Sequence, residues 1–169
     1  DYYLNLLDWS KNNILAVALM GAVYLWNSDT GEIEELMSME DENAYVSSVS
    51  WVKEAGSSNH LAIAMDDGAV QLWDSSKLQL VRTMRGHRDR VGSLSWNSHV
   101  LSSGRRDQSI FHHDVRVGRH HTASLIGHQQ EVCGLEWSPD GNTLASGGND
   151  NLLCLWDARR SGARRGGSY

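Results

Sequence analysis

One proline, one phenylalanine and two cysteines among 169 residues exclude several kinds of protein at once. Scarce proline rules out a proline-rich spacer or a collagen-like chain. Cys133 and Cys154 fit neither a disulfide framework nor a paired metal-ligand spacing, so they read as small buried apolar residues of a reducing, intracellular compartment. Positive charge is also short. Fifteen Lys and Arg face 21 Asp and Glu, giving a net charge of −6 and no basic field for a phosphate backbone; nucleic acid is not an expected partner. The longest apolar stretches, such as residues 14–20, fall far below the roughly 18–20 residues that cross a bilayer, so no membrane partner is expected. No charged-then-apolar leader opens the chain at Asp1. What is plentiful is glycine, with 16 residues, and tryptophan, with seven, a combination that suits short strands joined by tight turns.

Those tryptophans are periodic. Trp9, Trp51, Trp96 and Trp137 each end a short apolar strand and lie 42, 45 and 41 residues apart. A second strand of small and branched residues follows each: Leu15-Ala-Val-Ala18, Leu61-Ala-Ile-Ala64, Leu101-Ser-Ser-Gly104 and Leu144-Ala-Ser-Gly147. A third closes on an aromatic and an acid or amide: Leu25-Trp26-Asn27, Leu72-Trp73-Asp74, His112-His113-Asp114 and Leu155-Trp156-Asp157. Gly86-His87 and Gly127-His128 lead into the next Trp-ended strand. A period of roughly 40–45 residues with Gly-His early and Trp-Asp late is the WD-repeat pattern, in which each unit is one four-stranded propeller blade.

A buried polar relay gives the pattern its physical sense. The turn between second and third strands carries Asp67, Asp107 or Asp150, placed to accept a hydrogen bond from the histidine, whose other nitrogen meets a second-strand serine. The last repeat holds every member: His128, Ser146, Asp150 and Trp156. The third keeps His87, Asp107 and a serine but puts His113 where tryptophan belongs, and the first lacks the aspartate.

The expected fold is therefore all-β: a WD-repeat β-propeller fragment, four consecutive blades of an expected seven, forming an open arc. The blades span residues 1–40, 41–85, 86–126 and 127–158. First strands are expected over residues 4–9, 46–51, 91–96 and 132–137, and outer strands over 34–39, 80–84 and 122–125. The last unit shows no recognisable outer strand, and its polar, glycine- and arginine-rich residues 159–169 read as a disordered tail. Four blades do not normally close a ring, so two apolar blade faces are expected to lie uncovered, as in a piece of a longer propeller.

Particular strings go beyond the repeat. Asp1-Tyr-Tyr-Leu-Asn-Leu-Leu-Asp-Trp-Ser10, Val91-Gly-Ser-Leu-Ser-Trp-Asn97, Gln130-Glu-Val-Cys-Gly-Leu-Glu-Trp137 and Ala145-Ser-Gly-Gly-Asn-Asp-Asn151 resemble the fizzy family, WD-repeat activators of the anaphase-promoting complex, a cell-cycle ubiquitin ligase. His112-His-Asp-Val-Arg116 and Tyr45-Val-Ser-Ser-Val-Ser-Trp51 look more like the mitotic fizzy branch than the fizzy-related one. The resemblance implies a substrate receptor of the nucleus and cytoplasm, with anaphase-promoting complex subunits, degron-bearing cell-cycle proteins and checkpoint inhibitor proteins as partners. It assigns KEN-box recognition to Asp8, Asn149 and Asn151, and destruction-box recognition to Asp1. Asn149 and Asn151 flank Asp150 on a turn, where side-chain amides can pair with a peptide's carboxylate and amide. Asp8 and Asp1 suit a lysine and an arginine. The last-blade wall of the family's destruction-box groove and both ligase-docking segments have no counterpart here, and the Arg-rich residues from Ala163 depart from the family. A scaffold from another pathway, or a truncated or interfering fragment of the activator, are the alternatives.

Other chemistries find less support. Zinc needs three or four ligands converging tetrahedrally, whereas adjacent strand residues such as His112 and His113, or His120 and His121, point to opposite faces. No cofactor is expected. Ser10, Ser146, His128 and Asp150 supply triad residue types, but no nucleophile elbow accompanies them and the His–Asp–Ser set is accounted for by the relay; the chain is not expected to be an enzyme.

Overall fold

A computed structural model describes residues 4–54, 59–159 and 164–167; Asp1 lies outside the described residues. Among the described residues sixteen strands form four antiparallel sheets, each a meander of consecutive strands. The first contains β1 (Leu7–Trp9), β2 (Ile14–Leu19), β3 (Ala22–Asn27) and β4 (Ile33–Ser38). The second contains β5 (Val46–Trp51), β6 (His60–Met65), β7 (Val70–Asp74) and β8 (Gln79–Met84). β9 (Val91–Asn97), β10 (Val100–Arg105), β11 (Ser109–Asp114) and β12 (His121–Ile126) make the third. The fourth has β13 (Val132–Trp137), β14 (Thr143–Gly148), β15 (Leu153–Asp157) and β16 (Arg164–Gly167). No described helix is long and apolar enough to cross a membrane.

Two expectations change. The first strand was expected from residue 4, but the regular ladder starts at Leu7 because the preceding residues are shared between two blades. The Leu6 carbonyl accepts from Ala18 N–H in its own blade, and Asn5 bridges in parallel to Ser48 of the next. The last unit has an outer strand after all: Arg164–Gly167 pairs with Leu153–Trp156. Pairing an edge uses only main-chain N–H and C=O groups, so it leaves no apolar alternation to read in the sequence.

Hairpin geometry repeats from blade to blade through one device. At the third-to-fourth-strand turn the side chain of Asn27, Asp74, Asp114 or Asp157 accepts the backbone N–H two residues on, at 2.9–3.0 Å. The acid of each Trp-Asp pair is thus a turn former. Hydrogen bonding from Ser76 and Lys77 holds the Asp74 carboxyl at about 2, and Arg116 does the same for Asp114.

The chain forms two compact units, residues 4–91 and residues 92–167. In the first, Ala16, Val23, Leu25 and Leu36 of one blade pack on Val46, Val49, Trp51 and Ile63 of the next. In the second, Ile110 and Leu125 pack on Val132, Leu135, Trp137, Leu144, Cys154 and Trp156. An inner-strand tryptophan joins each pair. Trp51 N–H donates to Asp8 Oδ2 at 2.7 Å and its indole N–H to the Asp8 carbonyl. Trp137 N–H donates to Ser95 Oγ and its indole N–H to Ser102 Oγ at 2.8 Å. The flanks away from these cores stay apolar: Leu7, Trp9, Leu153 and Leu155 are exposed.

Gly104 sits against Val132 and Leu135 of the fourth blade. A Cβ there would press on Ser93 Oγ and fall 2.7 Å from Val132 Cγ1. Gly104→Ala should therefore destabilise the chain by about 1–3 kcal/mol, as overpacked interiors do, measured by urea unfolding. The depressed carboxyls set an acid limb. Each titrates lower in the folded chain than in the unfolded one, so its contribution is complete above an unfolded value of roughly 3.9 and is lost as pH falls through the folded value. Through these carboxyls urea midpoints should decline between about pH 4 and 2, below an earlier decline from about pH 6.5 to 4 that belongs to the buried, neutral His112.

Candidate functional site

In the fourth blade the predicted relay residues meet. Trp156 Nε1–H donates to Ser146 Oγ at 2.8 Å, and Ser146 Oγ lies 2.8 Å from His128 Nε2. His128 Nδ1 is 3.1 Å from both oxygens of Asp150. The indole can only donate and a carboxylate can only accept, so the protons run one way: Trp156 to Ser146, Ser146 to His128 Nε2, and His128 Nδ1–H to Asp150. Gln129 N–H and Leu152 N–H complete the Asp150 coordination at 2.7 and 3.1 Å. Burial alone would raise the Asp150 carboxyl, but these amides and His128 outweigh it and hold the carboxyl below its ordinary value.

The relay fixes the β14–β15 turn, and with it Asn149 and Asn151. Asn149 N–H donates to the Glu131 carbonyl at 2.8 Å, and Asn151 N–H to Gly148 O at 3.1 Å. Both side chains are exposed beside the buried Asp150. Asn151 is left-handed at φ 60°, as are Gly68 and Gln108 at the matching turn positions. Left-handed geometry favours Gly and Asn, so turn formation accounts for the residue type and leaves the amide free to serve a ligand. The two asparagines border a shallow, open concavity with Cys133, Gly134 and Leu152.

The third repeat departs from expectation. Asp107 is exposed and both its oxygens are taken within its own hairpin, Oδ1 by Ser109 and Oδ2 by Arg105 at 2.5 Å. Arg105 stands where the fourth blade has Gly148, and a Cβ at Gly148 would fall 2.5 Å from His128 Nδ1. A side chain at that position therefore occupies the space a relay histidine needs, and its guanidinium takes the aspartate. His87 is buried in the other compact unit, with its Cβ under the Gly68 turn. His113 does take the tryptophan's place on the matching serine, with Nε2 2.9 Å from Ser103 Oγ.

Asp8 lies in the first compact unit and Asn149 and Asn151 in the second. One Asp8 oxygen closes the bond to Trp51, and burial raises its carboxyl despite that hydrogen bond. The histidines differ from expectation as well. A register shift between His112 and His113 lets His113 meet both His120, with Nδ1 atoms 2.9 Å apart, and His121, with ring centroids 6.1 Å apart. No three His, Cys, Asp or Glu side chains among the described residues are arranged to hold a metal.

The description "CDC20/Fizzy WD40 domain" matches residues 1–166. The chain belongs to the CDC20/Fizzy WD40 family. It is 52% identical over 93% of its length to the Dictyostelium discoideum protein named anaphase-promoting complex subunit cdc20, covering 31% of that protein. It is 50% identical over 93% of its length to the Arabidopsis thaliana protein FIZZY-RELATED 2, covering 32%. Overall identity therefore does not separate the two branches of the CDC20/Fizzy family. Against a chain of a solved structure titled "Crystal Structure of Mitotic Checkpoint Complex" the TM-score is 0.93 at 49% identity, over 99% of this chain and 52% of that one. The four sheets are thus blades of a WD-repeat propeller, and the chain spans under a third of the length of these relatives.

The relay yields a direct test. Ser146→Ala strands one buried donor, the Trp156 indole N–H, and one buried acceptor, His128 Nε2. Chemical unfolding should show a loss of about 2–4 kcal/mol, larger than for a typical neutral hydrogen bond.

Proposed function

We propose that this chain is part of a non-catalytic activator of the anaphase-promoting complex, of the mitotic fizzy branch, which presents degron-bearing proteins to that ligase. Family membership supports the reading, as does the printed name of the Dictyostelium relative. The single observation that carries it on this chain is the β14–β15 turn, where Asn149 and Asn151 stand exposed on either side of a buried, fully bonded Asp150. A turn held this firmly presents two amides with little ordering cost, and each can give and accept a hydrogen bond toward an extended peptide. KEN-box peptides carry a carboxylate and an amide that suit this pair. Checkpoint proteins are further proposed partners, by similarity to the checkpoint-complex chain. The working compartments would be nucleus and cytoplasm.

Binding of a fluorescent Lys-Glu-Asn peptide to the chain tests this. Asn149→Ala and Asn151→Gly should each weaken it about tenfold, the equivalent of roughly 1.4 kcal/mol, while leaving the melting temperature in place. Asn151→Gly keeps the left-handed turn. Equal affinity across the asparagine variants would take the KEN-box site away from this turn.

A further inference from the structure

The layer between third and fourth blades is filled unevenly along its length. Ile110 and Leu125, paired across β11 and β12, fill it well. The next pair on the same face is His112 opposite Ala123. The positions matching His112 elsewhere hold Leu25, Leu72 and Leu155, and in the second blade the strand partner is the long Arg82. A short flat ring against a methyl group leaves space, and the structure has a cavity of about 250 Å³ there, walled by His112, Ala123, Leu125, Trp137 and Trp156. A dry engineered cavity of about 150 Å³ accepts benzene, so this one has room for a substituted ring. It opens beside Asn97 and Ala158, at the strand ends opposite the turn that carries Asn149 and Asn151.

Asn97, Thr122 and Asp157 also line the cavity, and one polar group enters its aromatic wall. Trp137 Nε1–H donates to Ser102 Oγ, and Ser102 Oγ is 2.8 Å from His112 Nδ1. Ser102 is fully buried, so its proton must go to His112 Nδ1, which leaves the ring's own proton on Nε2. Burial, assisted by His121, lowers His112 to about 4, so the ring stays neutral at physiological pH. The order Trp to Ser to His is that of the fourth-blade relay. There the chain of donors ends on Asp150; here no described residue accepts the last N–H.

We propose that this cavity is a binding site for a neutral phenol, such as a tyrosine side chain, whose ring lies against Trp137 and whose oxygen accepts the His112 Nε2–H. The aromatic walls supply the apolar contact and the unspent donor supplies selection for an acceptor oxygen. An anionic ligand is disfavoured because the site is partly desolvated, His112 is neutral and Asp157 lines the same cavity.

Titration of the full chain with p-cresol and toluene, followed by tryptophan fluorescence and two-dimensional NMR, tests the proposal. The expected result is a p-cresol affinity about tenfold above that of toluene, with ring-to-indole contacts to Trp137. His112→Phe should bring the two ligands to equal affinity, and Ala123→Leu should abolish both by filling the space. N-acetyltyrosinamide separates the sources: binding tighter than p-cresol assigns the site to a protein-borne tyrosine, and weaker binding assigns it to a free phenol. Equal affinity of p-cresol and toluene for the unsubstituted chain, or no contact to Trp137, overturns the proposal without recourse to any variant. So does unchanged binding in a folded Ala123→Leu chain.

Discussion

The hydroxyl of Ser146 receives the indole proton of Trp156 and passes its own to His128, which ends the series on Asp150. Four residues from different strands and turns are tied into one directional chain of hydrogen bonds inside the fourth blade. Because every donor finds an acceptor, the set rigidifies the blade, and removing any member leaves a buried polar atom unsatisfied. Asp150 is also the anchor of the β14–β15 turn through Leu152 N–H and Gln129 N–H. Stability and presentation of Asn149 and Asn151 therefore share one origin.

The third blade shows what happens when individual members of this set are exchanged. Arg105 in place of the matching glycine diverts Asp107 to the surface, so that aspartate serves its own hairpin. His113 replaces an indole on Ser103. His112 stands where the other repeats have leucine, joins Trp137 through Ser102 and lines a cavity beside Ala123. The blade keeps its strands throughout, because main-chain pairing and the Asp114 turn do not depend on these side chains.

Blade identity and strand order were legible in the residues because they rest on local chemistry. Alternation, a turn acid and a terminal tryptophan each leave a mark at fixed spacing, and β5 and β13 have the bounds expected of them. The fourth-blade relay was legible for the same reason. Its third-blade counterpart misled, since the pattern His87, Asp107 and a serine does not register that the glycine beside the turn has become Arg105. The strand over Arg164–Gly167 left no signal because an edge strand needs only main-chain groups. A leucine-to-histidine exchange within the third Leu-Trp position was the one available hint of the His112 cavity.

By itself, then, the sequence determined the all-β class, the four Trp-anchored repeats and their family, because strand period and turn chemistry are written in neighbouring residues. Only the tertiary structure decided which buried donors are satisfied. Asp8 was drawn onto Trp51, Asp107 onto Arg105, and His112 was left with a proton to give. Those outcomes depend on which side chains come within about 3 Å of each other once the sheets form and pack, and the repeat pattern does not encode that distance.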